Sequence, residues 1–156
     1  MEFKNLDFDL TMDVLTVPTV SNHEGKMVDY LKRWADDNQV LNWMDKAGNL
    51  YFVKGDKPMK GGFPCLSAHL DTVQTGQLPY IERGQRLPYS IEEQHDGTHK
   101  IFTEGMGIGA DCTCGIAICL HLIRKMDRVK AVFFHNEEKS MEGAANADWH
   151  FFADVS

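Results

Sequence analysis

No stretch of this 156-residue sequence approaches the roughly 18 consecutive apolar residues that a membrane-spanning helix requires. The first residues, Met1-Glu2-Phe3-Lys4-Asn5, lack the charged-then-apolar pattern of a secretory signal. Cysteine is scarce. Cys65, Cys112, Cys114 and Cys119 are the four, and three of them crowd into one short segment, a poor layout for a disulfide framework. Reduced thiols and a cytoplasmic setting are therefore expected. Paired Cys-x-x-Cys knuckles are absent too, which argues against a zinc site built of cysteine alone. Basic residues form no patch and the net charge is −7, so neither nucleic acid nor a membrane surface is expected as a partner.

What is present suits one domain with a real core: 43% apolar and 25% charged residues. Leu6, Leu10, Val14 and Leu15 recur at helical spacing, and Pro18 should follow that helix. Ser21-Asn22-His23-Glu24 reads as a capping box ahead of a second helix, whose apolar stripe is Met27, Val28, Leu31, Trp34 and Ala35. Val40–Met44 and Leu50–Val53, joined by the turn residues Lys46-Ala47-Gly48-Asn49, predict a hairpin. A loop follows from Gly55 to Gly62, around Pro58. Short extended pieces are expected near Tyr89–Ile91 and Ile101–Phe102, and His95 and His99 between them read as loop histidines.

Three segments carry chemistry. An apolar run from Phe63 to Leu66 leads into His69-Leu70-Asp71, and on a strand His69 and Asp71 would share a face. A carboxylate beside an imidazole fixes its tautomer, which suits a metal ligand and its supporting partner. Gly105-Met106-Gly107-Ile108-Gly109-Ala110-Asp111 precedes a helix bearing Ile116, Cys119, Leu120 and Ile123. Its spacing fits neither the dinucleotide fingerprint nor a P-loop, which leaves a nucleotide-binding domain with little support. Asp111 fits either a metal ligand or a helix N-cap, and local evidence favours the cap. Val129–Phe134 reads as a fully buried strand running into His135-Asn136-Glu137-Glu138, and Gly143-Ala144-Ala145 suggests a closely packed helix. Adjacent glutamates can divide labour, one binding metal and one moving a proton. One imidazole with several carboxylates suits a divalent metal.

These residues resemble the co-catalytic di-zinc exopeptidases, most closely the peptidase T, carboxypeptidase G and aminoacylase group. The likeness rests on Ala68–Val73, Gly109-Ala110-Asp111, Glu137-Glu138 and Gly143-Ala144, with Val17–Glu24 and Asp45–Leu50 in support. It implies an α/β fold, phosphorylase/hydrolase-like, with a mixed, mostly parallel sheet flanked by helices on both faces. His69 would bind one metal with Asp71 orienting it, Asp111 would bridge two, and Glu138 would bind the second. Glu137 would be the general base toward the bridging water. Two divalent ions are implied, zinc first, cobalt or manganese otherwise. The implied reaction is hydrolysis of short peptides or N-acyl amino acids.

The sequence also departs from that group. Ala68 stands where it usually has glycine, and Cys112 where it often has a second acid, a change expected to perturb metal affinity. A further acidic ligand and a late histidine have no recognisable counterpart; Asp148, His150 and Asp154 fit no such motif. Residues 1–156 thus read as the N-terminal portion of a catalytic domain, truncated, without the lid or dimerisation domain and the C-terminal strands. Three situations follow: a complementary polypeptide supplies the rest, the chain self-associates, or it is an inactive remnant or binding module that keeps the fold. Missing strands would expose apolar surface along Val129–Phe134.

Overall fold

A computed structural model describes residues 7–56 and 61–156. Leu6, the N-terminal residues and Pro58 of the expected loop lie outside them.

The chain opens with helix α1 (Phe8–Leu15), started by Asp7, whose carboxylate accepts the Leu10 N–H at 3.0 Å. Helix α2 (Gly25–Asp37) buries the expected stripe of Met27, Leu31, Trp34 and Ala35, with Val28 half-buried. Strands β1 (Leu41–Met44) and β2 (Leu50–Lys54) form the expected antiparallel hairpin. Its turn is closed by Asp45, which accepts the Ala47 and Asn49 N–H groups. Strand β3 (Cys65–His69), helix α3 (Leu78–Arg83), a small hairpin of β4 (Ser90–Glu93) and β5 (His99–Phe102), helix α4 (Ala110–Lys125), strand β6 (Val129–Phe134) and helix α5 (Glu142–Ala145) follow. A 3-10 turn at Trp149–Phe152 comes last.

The main sheet has the order β1-β2-β6-β3. It is mixed, as expected, but the parallel majority is not found among the described residues. Only β3 and β6 pair in parallel; β1 with β2 and β2 with β6 are antiparallel. The tight β1–β2 turn obliges those two strands to reverse, whereas β3 reaches β6 through a crossover that includes α4.

Alternation along the strands divides the core. Leu50, Phe52, Ala68, Ala131 and Phe133 face α1, α2 and α4. Tyr51 and Val132 face the other way, where Phe151 of the 3-10 turn covers them and Phe152 packs alongside. The long helices thus lie against one face, and the expected second helical layer is here a single short turn. The expected exposure along Val129–Phe134 is also corrected: β6 is central, and Val129, Ala131, Val132 and Phe133 are all buried. On the 3-10 side Lys130 is buried with its ammonium on the Phe151 carbonyl at 2.6 Å, against the Asp154 carboxylate and over the Phe151 ring.

Candidate metal centre

Parallel pairing of β3 with β6 brings their carboxyl ends level, His69 opposite Phe134. Residues just past both strands therefore meet at one end of the sheet, where α4 also begins. This brings together all five residues singled out in the sequence: His69, Asp71, Asp111, Glu137 and Glu138.

His69 is the centre. Its Nε2 lies 3.0 Å from Asp111 Oδ1 and 3.9 Å from Glu137 Oε2. Atoms able to ligate a metal on His69, Asp111 and Cys112 lie within 4.8 Å of one another, and so do those of His69, Glu137 and Glu138. Burial works against protonation of His69, but hydrogen bonds to Asp71 and Asp111 outweigh it, with the Glu137 charge adding to them, and raise its pKa to about 9. An imidazole drawn toward positive charge by surrounding carboxylates is a place where a cation is favoured.

Asp71 does more than the sequence suggested. β3 ends at His69, so Asp71 sits beyond the strand, and the closest partner of His69 Nδ1 is the Asp71 backbone carbonyl at 3.0 Å. The carboxylate follows at 3.4 Å. That carboxylate, 1% exposed, accepts the N–H of Glu137 at 2.9 Å, the N–H of Glu138 at 3.2 Å and the Ser21 hydroxyl at 2.7 Å. Burial pushes its pKa up; the hydrogen bonds from His69, Ser21 and Glu137 win and hold it below the usual value.

The expected capping box at Ser21–Glu24 is not formed. Ser21 is spent on Asp71, and the buried Glu24 makes no cap bond to α2. Its Oε1 accepts the Asn136 N–H at 3.2 Å and faces His135 Nδ1 at 3.0 Å. Asn136 takes a left-handed conformation (φ 47°), which turns the chain toward the two glutamates. Its amide bonds Asn22 and Glu142. The buried Asn49 accepts the His135 N–H and donates to the Gly143 carbonyl. Gly143 is needed there, since a Cβ would stand 2.3 Å from Asn49 Oδ1 and from the His135 carbonyl. Sequence patterns did not expose Ser21, Asn49 or Asn136 as supports of the site, because each acts on a partner far along the chain.

Nor is Asp111 an N-cap. Gly109 holds that position, and Asp111 has non-helical backbone angles (φ −90°, ψ 104°) and an exposed side chain turned to His69. The glycine-rich loop before it packs closely on its own neighbours. A Cβ on Gly107 would meet Gln74 at 2.4 Å, and one on Gly109 would meet Thr72 at 2.8 Å. His95 and His99 lie in the β4–β5 hairpin and belong to neither ligating group. Asp148 accepts the His150 N–H, and Asp154 pairs with Lys130, away from this end of the sheet. No helix of the described residues is long and apolar enough to cross a membrane.

Neither a protein-family profile nor a curated protein sequence matches the chain. Solved structures do. A tripeptidase from Staphylococcus aureus superposes with a TM-score of 0.71 at 18% identity, over 92% of this chain and 39% of its own. An aminoacylhistidine dipeptidase from Vibrio alginolyticus gives 0.73 at 21% identity, over 95% of this chain and 32% of its own. A dinuclear metal-binding peptidase of the M20 family from Bacillus subtilis gives 0.51 at 16% identity, over 96% of this chain and 40% of its own. The chain thus shares the fold of these peptidases across a span of less than half their length.

Proposed function

We propose that this chain carries part of a dinuclear metallopeptidase centre that hydrolyses peptide or amide bonds in short peptides or N-acyl amino acids. The observation that carries the reading is the convergence of His69, Asp111, Glu137 and Glu138 at one sheet end, around an imidazole whose Nε2 faces carboxylates. One imidazole with several carboxylates forms a donor set that fits zinc, with cobalt or manganese as substitutes.

In this reading His69 and Asp111 would hold one ion, and Asp111 and Glu138 would hold the other. The ions supply Lewis acidity to the scissile carbonyl and the attacking water. Glu137 takes a proton from that water at its carboxylate and passes it to the leaving amine. Asp71 fixes the His69 ring through Nδ1 and fixes the Glu137–Glu138 turn through two N–H groups. Ser21 holds Asp71 in turn.

Counting imidazole and carboxylates alone, this chain offers each ion fewer ligands than the three that a catalytic zinc usually takes from protein. Residues 1–156 are accordingly read as the N-terminal portion of the catalytic domain. The remaining ligands and the substrate-specificity groups come from further polypeptide, joined or separate, and a second copy of the chain is the other possible source. A cytoplasmic setting suits the reduced thiols, since all four cysteines are free.

The test is hydrolysis of di- and tripeptides and N-acyl amino acids by the purified chain, alone and with a polypeptide supplying the rest of the domain, with zinc, cobalt or manganese. Activity lost with Glu137→Gln and with chelator is expected. Activity that survives both sinks the reading. Metal binding without hydrolysis under every combination marks a binding module instead.

A further inference from the structure

Beside the carboxylates stands a softer donor that the reading above does not use. Cys112 follows Asp111 directly, and its sulfur lies within 4.8 Å of the ligating atoms of both His69 and Asp111. Backbone geometry puts it there. Cys112, like Asp111, has non-helical angles (φ −111°, ψ 23°), so its side chain does not follow the direction of the α4 turns that succeed it. The helix surface makes room for it: Gly115 has no side chain, and a Cβ at that position would lie 2.4 Å from the Cys112 sulfur. The thiol is thereby seated between the start of α4 and the end of β3. In the metal-free chain burial, with the Asp111 and Glu137 charges, holds the thiol pKa above its ordinary value, against backbone hydrogen bonds from His69 and Gly115. Among the described residues, Cys65, Cys114 and Cys119 enter no ligating group.

His69 and Asp111 alone leave a zinc ion one protein ligand short of three. We propose that Cys112 is that ligand, giving a His69–Asp111–Cys112 site with a thiolate in its coordination shell. The inference rests on the metallopeptidase reading and deepens it. When the metal binds, the sulfur forms the bond and the thiol proton leaves to solvent. A sulfur donor shifts preference toward zinc, cobalt and other thiophilic ions, and away from magnesium, calcium and manganese. The chain would thus hold its first ion through its own residues.

Cobalt(II) reports both claims separately when titrated anaerobically into the purified chain. Visible d–d bands show that the ion is bound. A near-ultraviolet sulfur-to-cobalt charge-transfer band shows that a thiolate is among the ligands. Both are expected to rise together and saturate at the same cobalt concentration. Cys112→Ser should keep the visible bands and lose the charge-transfer band, while Cys65→Ser and Cys114→Ser keep both. Visible bands without charge transfer overturn the thiolate ligand and leave the metallopeptidase reading standing, and so does a charge-transfer band that survives Cys112→Ser. Absence of both sets of bands overturns the proposal that this chain holds its first ion by itself, and the metallopeptidase reading is then decided by hydrolysis with the rest of the domain supplied. Should Cys112→Ser fail to fold, alkylation of the unmutated chain, read by mass spectrometry, decides: bound zinc should protect Cys112 and leave Cys114 reactive. Equal alkylation of Cys112 with and without bound zinc contradicts the proposal.

Discussion

The carboxylate of Asp71 accepts the backbone N–H of Glu137 at 2.9 Å, so the buried acid at the end of β3 holds the turn that presents the two glutamates. The same carboxylate reaches Glu138 N–H and Ser21 Oγ. One side chain thus couples the histidine segment, the glutamate segment and the loop before α2. Asp71→Asn keeps the shape but loses an acceptor oxygen and the charge. It should lower unfolding free energy by about 1–3 kcal/mol, as expected when a buried hydrogen-bonding group loses its partner. It should also weaken zinc binding by roughly 10- to 100-fold, the usual effect of losing support behind a ligand. Denaturant melts and metal titration check the two effects.

Ser21→Ala removes only the 2.7 Å bond to Asp71. A hydrogen bond to a charged group contributes about 1.5–3 kcal/mol. The denaturant midpoint should fall accordingly with an unchanged slope. Were Ser21 merely a helix cap, Ser21→Ala would cost no more than an ordinary cap and would leave zinc affinity untouched.

Asp111 offers the opposite contrast. Its side chain is 86% exposed, so Asp111→Asn should alter stability by less than about 0.5 kcal/mol while greatly reducing metal affinity. Stability and binding should therefore separate at Asp111 and fall together at Asp71.

The metal-free chain should show a pH window. His69 has its pKa raised from 6.5 to about 9, so its contribution to stability is complete below pH 6.5 and is lost as pH rises through about 9. Asp71 has its pKa lowered from 3.8, so its contribution is present above that pH and is lost on acidification below it. Thermal melts should show the centre contributing most between about pH 4 and 6.5. Zinc binds the neutral imidazole, so its affinity should rise with pH toward about 9. Histidine NMR titration of the metal-free chain reads the His69 value directly.

Local patterns made much of this legible. The Met27–Ala35 stripe, the β1–β2 hairpin and the buried strand at Val129–Phe134 all follow from periodicity and turn chemistry. His69, Asp71, Asp111, Glu137 and Glu138 stood out as a set because each falls at a strand end or helix start. Long-range partners were not legible. Ser21 and Glu24 have the spacing of a capping box, yet Asp71 and Asn136 compete for their oxygens from 50 and 112 residues away. Asp111 has the position of a cap, yet its carboxylate turns to the Nε2 of His69, 42 residues earlier. The place of β6 in the sheet depends on pairing order, which no single strand's sequence encodes.

Zinc titration by calorimetry of the unmutated chain, His69→Ala and Asp111→Asn is the most direct test of a metal centre at this end of the sheet. Saturable binding by the unmutated chain, lost in both variants while their folded signatures persist, is the predicted result. Equal binding by all three chains, or none by the unmutated one, would contradict it.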